Sequence, residues 1–267
     1  MNKRLSILFY VLMFSGTIGL SCQKVIDLSL NDMPPKLVIE SYLSNISGQQ
    51  IVSLSRTLNF DSPTAKEPVS GAVIILTDEN NAQVRYTEDA QSPGIYRSVR
   101  YRGTPGRTYT LSVMVNGQSY QATSTMPLPV DLQTVNQAEM SFLGERRKVL
   151  EISYKDPIGV SNYYNCRVFI NGKKRDQLFV DSDRFTDGRD VKNTLYLGEP
   201  YLKTGDVVRI QLLTIDERVY RYLFSFTQIS GNGGPPTAPA NPVSNFSNGA
   251  LGYFSASTLS EQTVNIQ

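Results

Sequence analysis

Thr108-Tyr109-Thr110-Leu111-Ser112-Val113-Met114-Val115-Asn116-Gly117-Gln118-Ser119-Tyr120-Gln121-Ala122 decides the fold class. Tyr109, Leu111, Val113 and Val115 alternate with Thr108, Thr110, Ser112 and Asn116, so one face of a strand is apolar. Asn116-Gly117 interrupts the run, and Tyr120 and Ala122 resume it. Asn-Gly between alternating runs specifies a two-residue hairpin, because both central residues of a type I′ turn need positive φ. The same sign recurs at Asn171-Gly172, between residues 164–170 and the run from Lys173. The chain therefore reads as mostly β.

Outward from these hairpins, strands are expected at 36–43, 50–57 and 72–77. Residues 78–82 form a turn, since Asp and Asn bond their own backbone there. Further strands are expected at 148–154, 162–170, 174–180 and 207–215, with a glycine-rich strand at 248–254. Residues 207–213 are too uniformly apolar to show which face points inward. Met126-Pro127-Leu128-Pro129 reads as a boundary, because two prolines do not both fit a central ladder. The expected architecture is two β-sandwich-like domains, 36–126 and 127–267, with one helix in the second. That helix is predicted at about 216–230. Asp216 caps it, Glu217 occupies the first turn, and Val219, Leu223, Phe226 and Ile229 recur at helical spacing. Tyr220, Tyr222 and Phe224 complete an aromatic stripe suited to core packing. A Gly- and Pro-rich loop at about 231–246 follows, long enough to suggest a functional surface.

Composition removes several classes of chemistry. There is no histidine, hence no Ser-His or Cys-His pair and no histidine zinc ligand. There is no tryptophan for stacking sugars, although 15 tyrosines are available. The 26 Lys and Arg residues include Lys3 and Arg4; without those two they equal the 24 Asp and Glu residues. A neutral body argues against nucleic acid as a partner, which demands a basic face.

Lys3 and Arg4 precede an almost unbroken apolar run from 5 to 20, followed by Ser21-Cys22. A basic head, an apolar stretch and a small residue before the cut are the parts of a secretory signal. A cysteine just after the cut is the substrate of a lipoprotein signal peptidase, although Gly19 stands where a leucine is commonest. Residues 1–21 are thus expected to be a leader, Cys22 the site of acylation with palmitate-type chains, and 22–35 a tether to the bilayer. The run is short for a membrane span, which needs about 20 residues. With Cys22 acylated, Cys166 has no partner, and its strand setting predicts a buried, inert thiol.

Four stretches resemble a Bacteroidetes family of outer-membrane lipoproteins of unknown function. They are residues 22–28 with Lys36-Leu37-Val38-Ile39-Glu40; Val69-Ser70-Gly71-Ala72-Val73-Ile74-Ile75; Pro93-Gly94-Ile95-Tyr96 with Gly106-Arg107-Thr108-Tyr109-Thr110-Leu111; and Asn248-Gly249-Ala250-Leu251-Gly252-Tyr253-Phe254. The middle two also resemble the immunoglobulin-like, transthyretin-like module of carboxypeptidase regulatory domains. The resemblance implies a lipid-anchored outer-membrane protein, commonly encoded beside TonB-dependent β-barrel receptors, with no catalytic residue to carry over. Whether the body faces the periplasm or the outside stays open.

Candidate sites within the body are few. Asp181, Asp183, Asp187 and Asp190 crowd one segment with Gly188, and calcium favours several hard oxygens on a tight turn. The EF-hand spacing is not met, and a solvated loop is the plainer reading. Arg97, Arg100, Arg102 and Arg107 gather near Gly103-Thr104-Pro105-Gly106 and suit an anionic ligand or a solvated strand face. Glu145-Arg146-Arg147-Lys148 reads as a polar hairpin tip. Asn45-Ile46-Ser47 and Asn245-Phe246-Ser247 match the glycosylation pattern by chance. No motif asks for a cofactor. The expected function is that of a non-enzymatic accessory of an outer-membrane receptor; the alternative is a surface binding module for a nutrient, glycan or peptide.

Overall fold

The Asn-Gly pairs act as the sequence demands. In the computed structural model, Asn116 and Gly117 adopt φ of 51° and 73°, and Asn171 and Gly172 adopt 50° and 81°. The first pair closes a hairpin between Thr108–Val115 and Gln118–Thr125, with Val115 opposite Gln118. Tyr109, Leu111 and Val113 of that hairpin are fully buried, as the alternation requires. The structure describes residues 35–57, 66–142, 144–229 and 242–267. The leader, Cys22 and most of the expected 231–246 loop lie outside the described residues.

In chain order the strands are β1 Leu37–Ser44, β2 Gly48–Arg56, β3 Glu67–Pro68, β4 Val73–Asp78, β5 Gln83–Glu88, β6 Ile95–Tyr101, β7 Thr108–Val115 and β8 Gln118–Thr125. They continue with β9 Leu132–Phe142, β10 Glu145–Lys155, β11 Tyr163–Ile170, β12 Lys173–Lys174, β13 Phe179–Ser182, β14 Asp190–Leu195, β15 Val207–Ile215 and β16 Leu251–Asn265. One large sheet runs β12-β11-β15-β16-β1-β2-β6-β5-β4-β7-β8, with β13 also on β11 and β3 on β2. A three-stranded sheet runs β14-β10-β9. The fold is mostly β and sandwich-like, as expected.

The last strand differs most from expectation. The glycine-rich stretch opens a 15-residue strand rather than a short one. Its first half pairs in parallel with β1, from Val38↔Leu251 to Ser44↔Ser257. Its second half pairs antiparallel with β15, from Thr214↔Thr258 to Val207↔Asn265. Side chains fasten it: Asn245 brackets Phe254 by accepting from its N–H (3.0 Å) and donating to its carbonyl (2.7 Å), and Asn45 accepts from Leu259 N–H (2.9 Å). Both glycosylation-pattern asparagines thus act as substitute strand partners. At Gly252, φ is +93°, and a built Cβ would lie 2.0 Å from the Ile39 carbonyl oxygen, so only glycine fits.

Two further expectations are corrected. The strand foreseen at 174–180 is split into β12 and β13; between them Arg175 turns its guanidinium to the carbonyls of Gly198 and Glu199, both at 2.8 Å. Residues 132–142, unmarked in the sequence, form β9, an edge strand whose side chains are mostly exposed and so leave no apolar alternation.

Three apolar clusters result. The first collects Ile39, Leu54, Ile74, Tyr96, Tyr109 and Leu111, and also Phe246, Phe254 and Ala256 from the chain's last segment. The second lies between β10-β14 and β11-β15 and includes Leu150, Ile152, Tyr154, Tyr164 and Ile210. The third joins the outer face of β15 to a helix, α1, Glu217–Ile229. That answers the ambiguity of 207–213: Val208, Ile210 and Leu212 serve the inner core, and Leu213 and Ile215 serve the helix. Asp216 caps α1 by accepting from Val219 N–H at 2.9 Å, and Val219 and Leu223 are buried beneath it. Pro127–Pro129 separates β8 from β9, and the described residues pack as one compact unit.

Candidate functional site

The helix end, the β13 edge and the β14 edge frame a cavity of about 370 Å³ in the C-terminal half. Alternation on β10 and β11 sends Tyr154, Tyr164 and Cys166 inward to its floor. The two tyrosine rings pack with centroids 4.7 Å apart and planes inclined by 51°. Phe179, Leu195, Leu212 and Phe224 supply apolar wall, and Thr227 and Gln228 come from the last turn of α1. Across the mouth, Asn193 donates to the Asp181 carboxylate at 2.9 Å and lies 3.5 Å from the Tyr154 hydroxyl.

Burial fixes the protonation of this floor. Desolvation raises the Tyr154 and Tyr164 hydroxyls well beyond the ordinary phenol range, and nearby Asp156 and, for Tyr154, Asp181 add to the rise. Both remain protonated donors. Cys166 is raised to about 12 by burial alone, so it stays a thiol and is no nucleophile. The Tyr164 hydroxyl donates to Asp156, so the cavity offers the Tyr154 hydroxyl, the Asn193 amide and the Asp181 carboxylate against an aromatic floor. That set can hold a ligand by hydrogen bonds and ring contact, and among the described residues it pairs no nucleophile with a base.

The acidic segment is rearranged relative to expectation. Asp183 and Asp187 come together with Asp156, which the sequence reading missed, and their oxygens lie within 4.8 Å of one another. Asp181 instead lines the cavity, and Asp190 sits exposed in β14 opposite Lys155. The three clustered carboxylates tie two loops together. Asp183 accepts from Asn162 N–H (2.7 Å), Asp187 from Gly159 N–H (2.7 Å), and Asp156 from the Tyr164 hydroxyl and from Gly188 N–H (3.3 Å). Asp156 is 1% exposed, and burial first, then the two neighbouring carboxylates, raise its pKa. These are the only clustered acidic side chains among the described residues suited to a cation, and each carboxylate already accepts from a backbone N–H or a hydroxyl through at least one oxygen.

The arginines do not converge on a ligand site. Arg97 pairs with Asp89 at 3.0 Å, Arg107 with Asp78 at 3.2 Å, and Arg100 donates to Ser47 at 3.1 Å. Arg102 is exposed.

The comparison that decides kinship covers nearly the whole body. The family model described as a domain of unknown function, DUF4249, matches residues 23–263. The chain belongs to that family. No curated protein matches it. Among solved structures it is similar to a DUF4785 family protein from Legionella pneumophila, at 8% identity and a TM-score of 0.25, covering 67% of this chain and 52% of that one. It is also similar to pullulanase complexed with maltotriose from Anoxybacillus sp. LM18-11, at 14% identity and a TM-score of 0.21, covering 65% of this chain and 24% of that one. The chain thus spans about half the length of the first and a quarter of the second, and at such TM-scores neither bears on function. No helix among the described residues is long and apolar enough to cross a membrane.

Most cavity residues carry no local sequence signal. Tyr154, Tyr164, Asp181 and Asn193 come from four strands, and only the pairing of β10 with β14 and of β11 with β13 assembles them. The helix stripe was legible, and its last turn supplies one wall.

Proposed function

We propose that this chain is a non-enzymatic cell-envelope lipoprotein, tethered to the outer membrane through acyl chains on Cys22, that serves as accessory to an outer-membrane receptor by holding a ligand. The observation that carries the ligand-holding role is the cavity floored by Tyr154 and Tyr164 and crossed by the Asn193–Asp181 pair. Its Tyr154 hydroxyl, Asn193 amide and aromatic floor suit a neutral ligand with hydroxyl or amide groups and an apolar face, such as a short glycan or peptide. The leader expected at 1–21, followed directly by Cys22, supports the tether. Each buried methylene adds about 0.8 kcal/mol, so two or three chains hold firmly. The absence of histidine and the neutral, hydrogen-bonding floor support a non-catalytic role. The TonB-dependent receptor as partner rests on the family resemblance alone.

Three measurements test this reading. Intact-mass analysis of the membrane-extracted protein is expected to show an acylated Cys22, and a free amino terminus overturns the tether. Mild detergent extraction of a tagged form is expected to bring down a β-barrel receptor, and recovery alone overturns the accessory role. Thermal-shift screening against glycans and short peptides is expected to give a hit lost in Asn193→Leu. A hit that survives that change places the ligand elsewhere.

A further inference from the structure

A second cavity, of about 230 Å³, lies at the base of the β9–β10 hairpin tip and shares no lining residue with the first. The pairing register sets Arg147 opposite Met140 and Glu145 opposite Phe142, so Phe142, Met140 and Arg147 share one face. The loop after β14 brings Tyr196 and Tyr201 to that face. Arg147 is not a solvated tip residue as its sequence context suggested. Its guanidinium carbon lies 4.1 Å from the Tyr201 ring centroid and 5.3 Å from that of Phe142.

The two rings hold the guanidinium plane and leave its edge for recognition. That edge is poorly satisfied. The Nε–H is buried with no acceptor among the described residues, and one Nη meets Glu145 at 3.1 Å. Glu145 is 72% exposed, and an exposed pair of this kind is worth little and yields readily to a competitor. Two further cations, Lys148 and Arg175, border the site. Lys148 donates to Thr204 and to the Gln267 carbonyl, and Arg175 donates to the carbonyls of Gly198 and Glu199. Phe142 and Tyr196 stand 53% and 51% exposed beside them. These two open rings stand beside a guanidinium already held over Tyr201 and Phe142. The loop itself is pinned, with Gly198 N–H donating to Gln177 at 3.2 Å.

We infer that this cavity binds a small aromatic carboxylate, its ring set between Tyr196 and Phe142 and its carboxylate on the edge of Arg147, displacing Glu145. The volume suits a single aromatic ring with a short acidic arm. The same chemistry occurs in a free aromatic acid and in a peptide ending in an aromatic residue.

The test uses saturation-transfer NMR and calorimetry on the full mature chain with Cys22→Ser. N-acetyl-L-phenylalanine is expected to bind, and N-acetyl-L-phenylalaninamide to bind at least about ten-fold more weakly, since only the acid offers the charged fork. Arg147→Lys is expected to weaken the acid about ten-fold by losing the bidentate geometry. Glu145→Gln, an exposed change that spares the fold, is expected to tighten it. Asn193→Leu in the first cavity is expected to leave it unchanged, so failure here and failure of the first site are separable. A tetrapeptide ending in phenylalanine that binds more tightly than the acetylated residue identifies a peptide terminus; equal binding identifies a free acid. Equal binding of acid and amide, no binding by the folded protein at millimolar acid, or no change in Glu145→Gln overturns the inference.

Discussion

Replacing Gly252 by alanine tests the seam on which the architecture depends. The added Cβ would fall 2.0 Å from the Ile39 carbonyl oxygen, 2.7 Å from its carbonyl carbon and 2.9 Å from its nitrogen. All three are backbone atoms inside the β1–β16 ladder, so no rotamer change relieves the contact. The positive φ adds about 1–2 kcal/mol by itself. Relieving the contact means moving β16 away from β1 by more than an ångström, which loosens ladder bonds and the packing of Ile39 and Phe254, both fully buried. The sum is expected to reach about 3–5 kcal/mol, a large share of the stability of an ordinary domain. Gly249→Ala is the control: φ is +73°, but nothing lies within 4 Å of the added carbon, so only the conformational part, about 1–2 kcal/mol, remains. Urea unfolding of the Cys22→Ser protein, followed by far-UV circular dichroism, measures both. A Gly252→Ala loss within about 1 kcal/mol of the Gly249→Ala loss would refute the close approach of the two strands.

Asp216→Ala removes the α1 cap and the Ser124 partner together, and is expected to cost about 1–2 kcal/mol in the same assay. Asp156 and Asp216 both have pKa values raised by burial, so the folded state holds their protons more tightly than the unfolded chain. Their contribution to stability is therefore greatest below about pH 4 and falls as pH rises through the unfolded carboxylate range toward the raised folded values. Melting temperatures from pH 4 to 7 are expected to show a shallower decline in Asp156→Asn than in wild type; an unchanged slope removes Asp156 from the account. Cys166 is expected to resist iodoacetamide at pH 8 until urea unfolds the chain, and rapid native-state alkylation would contradict its buried, protonated state.

Much of the fold was legible because local chemistry and tertiary demand coincide. Asn-Gly pairs turn where positive φ is needed, and Tyr109, Leu111 and Val113 alternate because one face is buried. The stretches that carry the family resemblance prove to be backbone fittings. Gly94 sits where a Cβ would meet Leu54's carbonyl oxygen at 2.6 Å. The Tyr96 hydroxyl donates to Val69 and accepts from Ala72, locking two of the stretches together. Tyr109 accepts from Thr104 N–H at 2.7 Å. Such residues report architecture, which is why they disclosed the fold and not a ligand. β9 escaped notice because its residues are mostly exposed and polar, and the second half of β16 because its outward residues are polar and its partner β15 lies far back in the sequence. Asp156 and Arg147 escaped because their roles depend on loops that come later in the sequence: 183–188 and 196–201 respectively.

The route of β16 has a kinetic consequence. Val38 meets Leu251 across more than two hundred residues of intervening chain, so β1 has no parallel neighbour until nearly everything else has been synthesised. A nascent polypeptide exposing both the β1 and β15 edges is prone to stick to its like until β16 closes them. That same delay keeps the chain threadable until β16 emerges, which suits the export that the proposed tether entails.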